Sequence, residues 1–166
     1  YTNLINETKK HTHLISQYFS LKKQALKLQD FHFYDVYAPI STVEEKRYTY
    51  EEGVDLGCSS LHPLGKEYVE ILRNGLLSER WVDRYENQSK RSGAYSSGCY
   101  DSFPYILLNY SGTISDVSTI THEAGHSMHS YFSRKAQPFH DSQYPIFLAE
   151  IAFTFNEMLL MEALLK

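Results

Sequence analysis

The segment His122-Glu123-Ala124-Gly125-His126 carries the densest chemistry in the chain. On a helix, residues four apart lie about one turn from each other on the same face, so both imidazoles reach a single ion. Glu123 is rotated by about 100° from His122, which brings its carboxylate to the open side of that ion, outside the ligand set. Two imidazoles beside a carboxylate base form the donor pattern of metal-assisted hydrolysis, and zinc is the metal that suits it. The plainer alternative is two solvent-facing histidines on a surface helix.

A catalytic zinc takes a third protein ligand and keeps one position open. His129 stands three residues past His126, but it is about 10 Å along the axis from His122, too far for three nitrogens on one helix to share an ion. It reads as a packing or hydrogen-bonding histidine. Metzincin spacing fails as well, because His129 and Phe132 stand where that pattern wants Gly and His. Glu150 is the better candidate. Its neighbours Phe147, Leu148, Ile151 and Phe153 predict that its carboxylate enters an apolar wall and needs a strong partner; a helix-end salt bridge is the bland reading. Glu157, seven residues on, shares nearly the same face. It suits an acceptor that holds a ligand imidazole's N–H from behind, and equally a solvated surface carboxylate.

These groups need elements to hold them. Apolar positions Ile120 and Met128, with Ser115 or Asp116 as cap, predict a helix from about Ser115 to Arg134. A second runs from about Ile146 to Lys166 and reaches the last residue without a C-cap signal, which reads as part of something longer. Upstream, Leu14, Tyr18, Leu21, Ala25 and Leu28 mark one helical face opposite a solvated lysine face. The ring-rich stretch Phe31 to Pro39 reads as an extended crossing segment. Thr42-Val43-Glu44-Glu45 and Thr49-Tyr50-Glu51-Glu52 both have capping-box form. The helix after Thr49 carries Val54, Cys58 and Leu61 inward. Another is marked by Leu64, Tyr68, Ile71, Leu72 and Leu76 and continues toward Trp81 and Tyr85. Residues 90–100 form a Gly/Ser-rich loop with interleaved tyrosines, and Pro104 to Tyr110 reads as a buried strand and turn.

Composition narrows the classes. The chain has 166 residues, 16 Lys and Arg against 20 Asp and Glu, and a net charge of −4. That length buries a core, and the acidic balance argues against a nucleic-acid surface. No apolar run spans a bilayer and no secretory leader is visible, so neither a membrane nor a nucleic-acid partner is expected. Two distant cysteines exclude a disulfide framework and make a cytoplasmic location the default. Fourteen tyrosines could line a groove or fill a core.

Four stretches in order, Ser92-Gly93-Ala94-Tyr95, Pro104 to Thr113, His122 to His129, and Ala149-Glu150-Ile151-Ala152 to Asn156-Glu157, resemble the oligoendopeptidase F group of the thimet-oligopeptidase-like zinc metallopeptidases. The resemblance extends from Tyr34 onward. It implies a mainly α fold: a helical zincin-type catalytic core around a deep channel, with a small β-element beside the zinc-binding helix. It implies a cytosolic endopeptidase acting on short peptides, one zinc ion on His122, His126 and Glu150, and Glu123 as general base. Members of the group are several times longer and carry oxyanion-binding His and Tyr residues downstream. Residues 1–166 are therefore expected to be the central part of a catalytic domain, with the remaining parts of the same enzyme as its partners.

The strand Tyr105 to Asn109 is expected to offer an edge to an extended peptide, with Gly93, Ala94 and Tyr95 closing over it and Asn109 as a further peptide contact. Two rivals stand beside this reading. A deformylase-like site would take Cys99 as third ligand, but Gly98-Cys99-Tyr100 lacks the glutamate and leucine that flank such a cysteine. A helical, Tyr-rich peptide-binding module with an incidental metal would need no catalysis.

Overall fold

A computed structural model describes residues 1–41 and 46–166, so the first of the two expected capping boxes, Thr42 to Glu45, lies outside the described residues. The chain divides into two compact units, Tyr1–Glu44 and Glu45–Lys166. In the first, helix α1 (Thr2–Ala25) is followed by a 3-10 turn at Phe33–Tyr37. Two expectations change here. Leu14, Tyr18 and Leu21 are exposed, and it is Lys22 on the supposed solvated face that is buried, its ammonium donating to the Val36 carbonyl at 2.6 Å. The ring-rich stretch is a tight turn because the Asp35 carboxylate accepts the His32 N–H at 2.7 Å, and its rings Phe33, Tyr34 and Tyr37 remain exposed.

The second unit holds every candidate site residue. Helix α2 (Tyr50–Ser60) starts at the capping box expected of Thr49 and Glu52: the Glu52 N–H donates to Thr49 Oγ1 at 3.2 Å, and the Thr49 N–H to Glu52 Oε2 at 2.8 Å. Tyr50, Val54, Cys58 and Leu61 enter the core from this side. Helix α3 (Lys66–Leu77) adds Leu72 and Leu76. It stops earlier than its periodicity suggests. The chain doubles back through Arg80 (φ 62°), the Trp81 N–H reaches the Gly75 carbonyl at 3.2 Å, and a buried Trp81 leads into strand β1 (Val82–Asp83).

Strands β2 (Tyr95–Ser97) and β3 (Tyr105–Leu107) complete a three-stranded sheet in the order β1-β3-β2. β3 pairs parallel with β1 and antiparallel with β2, Ile106 lying opposite both Val82 and Ser96. β3 is thus the interior strand, which corrects the expectation that it offers an edge; β1 and β2 are the edges. The sheet lies beside helix α4 (Ile114–Ala136), as expected of the small β-element.

α4 is capped by Thr113, not by Ser115 or Asp116. Asp116 closes the box as its fourth residue, its Oδ2 accepting from both the N–H and the hydroxyl of Thr113 and of Ser111. Burial alone would raise the Asp116 pKa, and these donors, the Thr113 N–H foremost, hold it below the usual carboxylate value. Val117, Ile120, Ala124 and Met128 form the buried stripe of α4, and helix α5 (Ile146–Leu164) packs along its other side. The fold is mainly helical. Among the described residues no helix is long and apolar enough to cross a membrane.

The core makes a simple prediction about the two thiols. Cys58 is buried and its pKa is pushed up to about 11 by burial, whereas Cys99 is exposed. Thiolate is the reactive form, so Cys99 should be alkylated at least about tenfold faster than Cys58 in native protein at neutral pH. Mass mapping of labelled peptides reads this directly, and equal rates would contradict the packing of α2.

Candidate metal centre and general base

α4 sets the positions of the two histidines. Successive buried residues turn its apolar stripe toward α2 and the sheet, leaving His122 and His126 half-buried on the flank that meets α5. Their ring centroids are 5.2 Å apart with the planes at 69°. His122 Nδ1 lies 3.2 Å from Glu157 Oε1, which leaves its Nε2 as the nitrogen free for an ion. The His126 pKa is lowered, by burial first and by the neighbouring His122 second, so the ring favours the neutral form that binds metals.

Glu123 sits one residue round the helix and is only 5 % exposed. Burial raises its pKa, while the His122 charge and the nearby Ser96 backbone of β2 pull the other way. Its Oε2 is buried without a hydrogen-bond partner. A buried carboxylate oxygen left unpaired is costly in a folded protein and is the kind of atom a reaction uses.

Helix α5 approaches at Gly125. A Cβ on that residue would stand 2.6 Å from the Phe153 Cα, so only glycine allows the two backbones this close. The approach places residues 150, 153 and 157, spaced by three and four, along one stripe of α5. Phe153 fills the middle of that stripe, its ring 3.6 Å from His122 and 4.9 Å from His126, centroid to centroid. Glu157 lies at the His122 end. Glu150 is exposed, as are Phe147, Leu148 and Ile151, so the expected apolar wall around its carboxylate is absent. Its charge nevertheless acts on both Glu123 and His126.

Among the described residues no three His, Cys, Asp or Glu side chains converge closely enough to hold a metal ion. The donor chemistry fits zinc all the same: two imidazoles one turn apart, one backed by a carboxylate, and the unpaired Glu123 oxygen beside them. Glu150 is exposed on the same stripe of α5, and the Phe153 ring lies against both imidazoles.

The remaining candidates lie elsewhere. Cys99 sits on a surface turn closed by Ser102. The His129 ring stacks on Tyr144 at 3.7 Å. Gly93, Ala94 and Asn109 line a cavity of about 280 Å³ with Asp116 and Thr119, at the start of α4. Tyr95 is exposed on the sheet face opposite Ser96, away from α4. From sequence, Phe153 reads only as part of an apolar wall and Ser96 only as part of a Gly/Ser-rich loop. A three-four spacing count from Glu150 would have found Phe153; nothing local marks Ser96, which arrives through strand pairing.

The buried carboxylate generates a stability prediction for the metal-free protein. With its folded pKa above the ordinary 4.5, Glu123 binds its proton more tightly folded than unfolded. Its ionisation therefore costs stability above the folded pKa, and the cost vanishes as pH falls toward about 4.5. Glu123→Gln should raise stability by roughly 0.5–2 kcal/mol at pH 7.5, with the gain shrinking on acidification. Urea unfolding of the chelated proteins at several pH values checks it; a loss of stability at pH 7.5 would contradict the site as described.

Comparison with known proteins places the chain in a family. The model of peptidase family M3 matches residues 1–166. The chain is 48% identical over its whole length to Oligopeptidase PepF of Bacillus subtilis, covering 25% of that protein, and 49% identical to an oligoendopeptidase F homolog of Borreliella burgdorferi, covering 28% of it. It thus spans about a quarter of the length of the curated relatives it matches. A crystal structure from Chlamydophila abortus superposes on 99% of the chain and 27% of its own, with a TM-score of 0.86 and 67% identity. The chain belongs to peptidase family M3.

Proposed function

We propose that this chain carries the metal-binding and base-bearing part of a zinc-dependent endopeptidase that hydrolyses short peptides in the cytoplasm. The observation that carries the reading is the pairing of two imidazoles one turn apart with a buried carboxylate whose Oε2 is unpartnered. His122 and His126, with Glu150 rotated inward, would hold one zinc ion, and Glu157 fixes the His122 ring. When bound, zinc supplies Lewis acidity, polarising the scissile carbonyl and lowering the pKa of a water to about 7. Glu123 accepts the proton of the attacking water at Oε2 and delivers it to the leaving amine. Burial beside α5 and the sheet keeps competing water from that carboxylate.

An extended peptide would pair with a strand edge of the sheet, which is β2 or β1, not β3. The exposed apolar residues of α5, among them Phe147, Ile151, Phe155 and Met158, suit cover by the remaining parts of the same enzyme. Those parts also supply the oxyanion donors in this reading.

The test separates metal binding from chemistry. His122→Ala and Glu150→Ala should lose zinc, measured by metal analysis of the purified full-length protein. Glu123→Gln should keep zinc and cut turnover of an internally quenched peptide by at least about 100-fold. Normal zinc in either ligand variant, or near-normal turnover in Glu123→Gln, contradicts the assignment. A helical peptide-binding module with an incidental metal is favoured by one observation, the Phe153 ring against both imidazoles. It predicts peptide binding without cleavage.

A further inference from the structure

Asn156 lies on α5 next to Glu157 and is almost fully buried. Its Nδ2 donates to the Tyr68 hydroxyl of α3 at 3.1 Å and to the Thr121 carbonyl of α4 at 3.4 Å. Both amide hydrogens thus have acceptors, and Oδ1 is 3.5 Å from the same Tyr68 hydroxyl. Tyr68 is held in turn by α4, its ring stacked with Phe132 at a centroid separation of 6.2 Å. Three helices therefore meet at one buried amide.

The order of residues gives this node its meaning. Thr121 precedes His122 on α4 as Asn156 precedes Glu157 on α5. The two pairs are consecutive rungs between the helices: amide to carbonyl first, then Glu157 Oε1 against His122 Nδ1 at 3.2 Å. Little else fixes the height of α5 along α4. Gly125 sets how near the backbones come, and the other buried residues of α5, Ala149 and Leu160, are apolar. Apolar contacts tolerate sliding, whereas a buried amide finds its partners in one register only. A slide of one residue's rise, about 1.5 Å, carries the Glu157–His122 contact to the limit of hydrogen-bond reach or past it. A ligand imidazole released from its carboxylate loses both its tautomer and its orientation.

We propose that Asn156 and Tyr68 are positioning residues for His122: the buried amide, braced by the hydroxyl from α3, holds α5 at the height where Glu157 meets Nδ1, and so keeps Nε2 turned toward the ion. Both act through Glu157 and touch neither metal nor peptide. The inference rests on the zinc-site reading above.

Tyr68→Phe removes the brace from a different helix and keeps its ring, and Asn156→Leu removes the amide at similar volume. In the full-length protein, chelator competition measures zinc affinity and thermal unfolding confirms that each variant is folded. Both should bind zinc about 10–100-fold more weakly than wild type. A general loosening of the fold would do the same, so Glu157→Ala separates the two. Alone it should weaken zinc by a similar factor. Adding Tyr68→Phe to it should cost less than about twofold more, because the hydroxyl acts through a carboxylate already gone. Either single variant, folded and binding zinc within about twofold of wild type, overturns the proposal. A Tyr68→Phe loss that multiplies in full with that of Glu157→Ala also overturns it. In both cases the zinc-site reading stands if His122→Ala abolishes binding. Zinc binding that survives His122→Ala overturns both.

Discussion

A carboxylate nearly removed from water, its Oε2 buried and without a partner, is the constraint around which this unit is organised. Glu123 stands on the buried side of α4 for the same reason Ala124 and Met128 do: the helix turns that arc into the core. What differs is that its charge is offset only by the field of the adjacent His122 and the nearby backbone of β2 at Ser96. Folding alone would favour an apolar residue here. The arrangement is intelligible if the free oxygen is used by water and substrate.

From that constraint the rest follows in layers. Keeping Glu123 buried needs α2 and the sheet against one side of α4, supplied by Tyr50, Val54, Ile106 and Leu108. Keeping the imidazoles next to carboxylates needs α5 on the other side, and Gly125 permits it by removing the side chain between the backbones. Asn156 contributes to the same alignment. It is 2 % exposed, and its amide donates to the Tyr68 hydroxyl at 3.1 Å and to the Thr121 carbonyl at 3.4 Å, beside His122 and Glu157. An amide buried with partners on α3 and α4 fixes the register of α5, because sliding by a residue would orphan it.

The features legible in the sequence were those set by local rules. The Thr49–Glu52 box, the helical placement of both histidines and the position of Cys58 in the core all follow from spacings of three and four. Features set by non-local pairing were not legible. β3 reads as an edge because its sequence says nothing of the parallel partner arriving from Trp81, and the end of α3 is decided by where that tryptophan finds its pocket. Glu150 shows a subtler gap. Apolar neighbours in sequence predicted a buried carboxylate, but on α5 Phe147, Leu148 and Ile151 are exposed, while Phe153 and Glu157 meet the histidines. Its proposed role therefore depends on the spacing along the stripe, and on a rotation of the side chain.

Zinc K-edge X-ray absorption of the zinc-loaded, full-length protein decides the ligand set, because it counts ligands by type. Two imidazole nitrogens near ~2.0–2.1 Å, with only oxygen completing the shell, is the result predicted for His122, His126, Glu150 and one open position. A sulfur shell near ~2.3 Å would bring in a cysteine such as Cys99, and a third imidazole would bring in a histidine such as His129. Either result would contradict the site described.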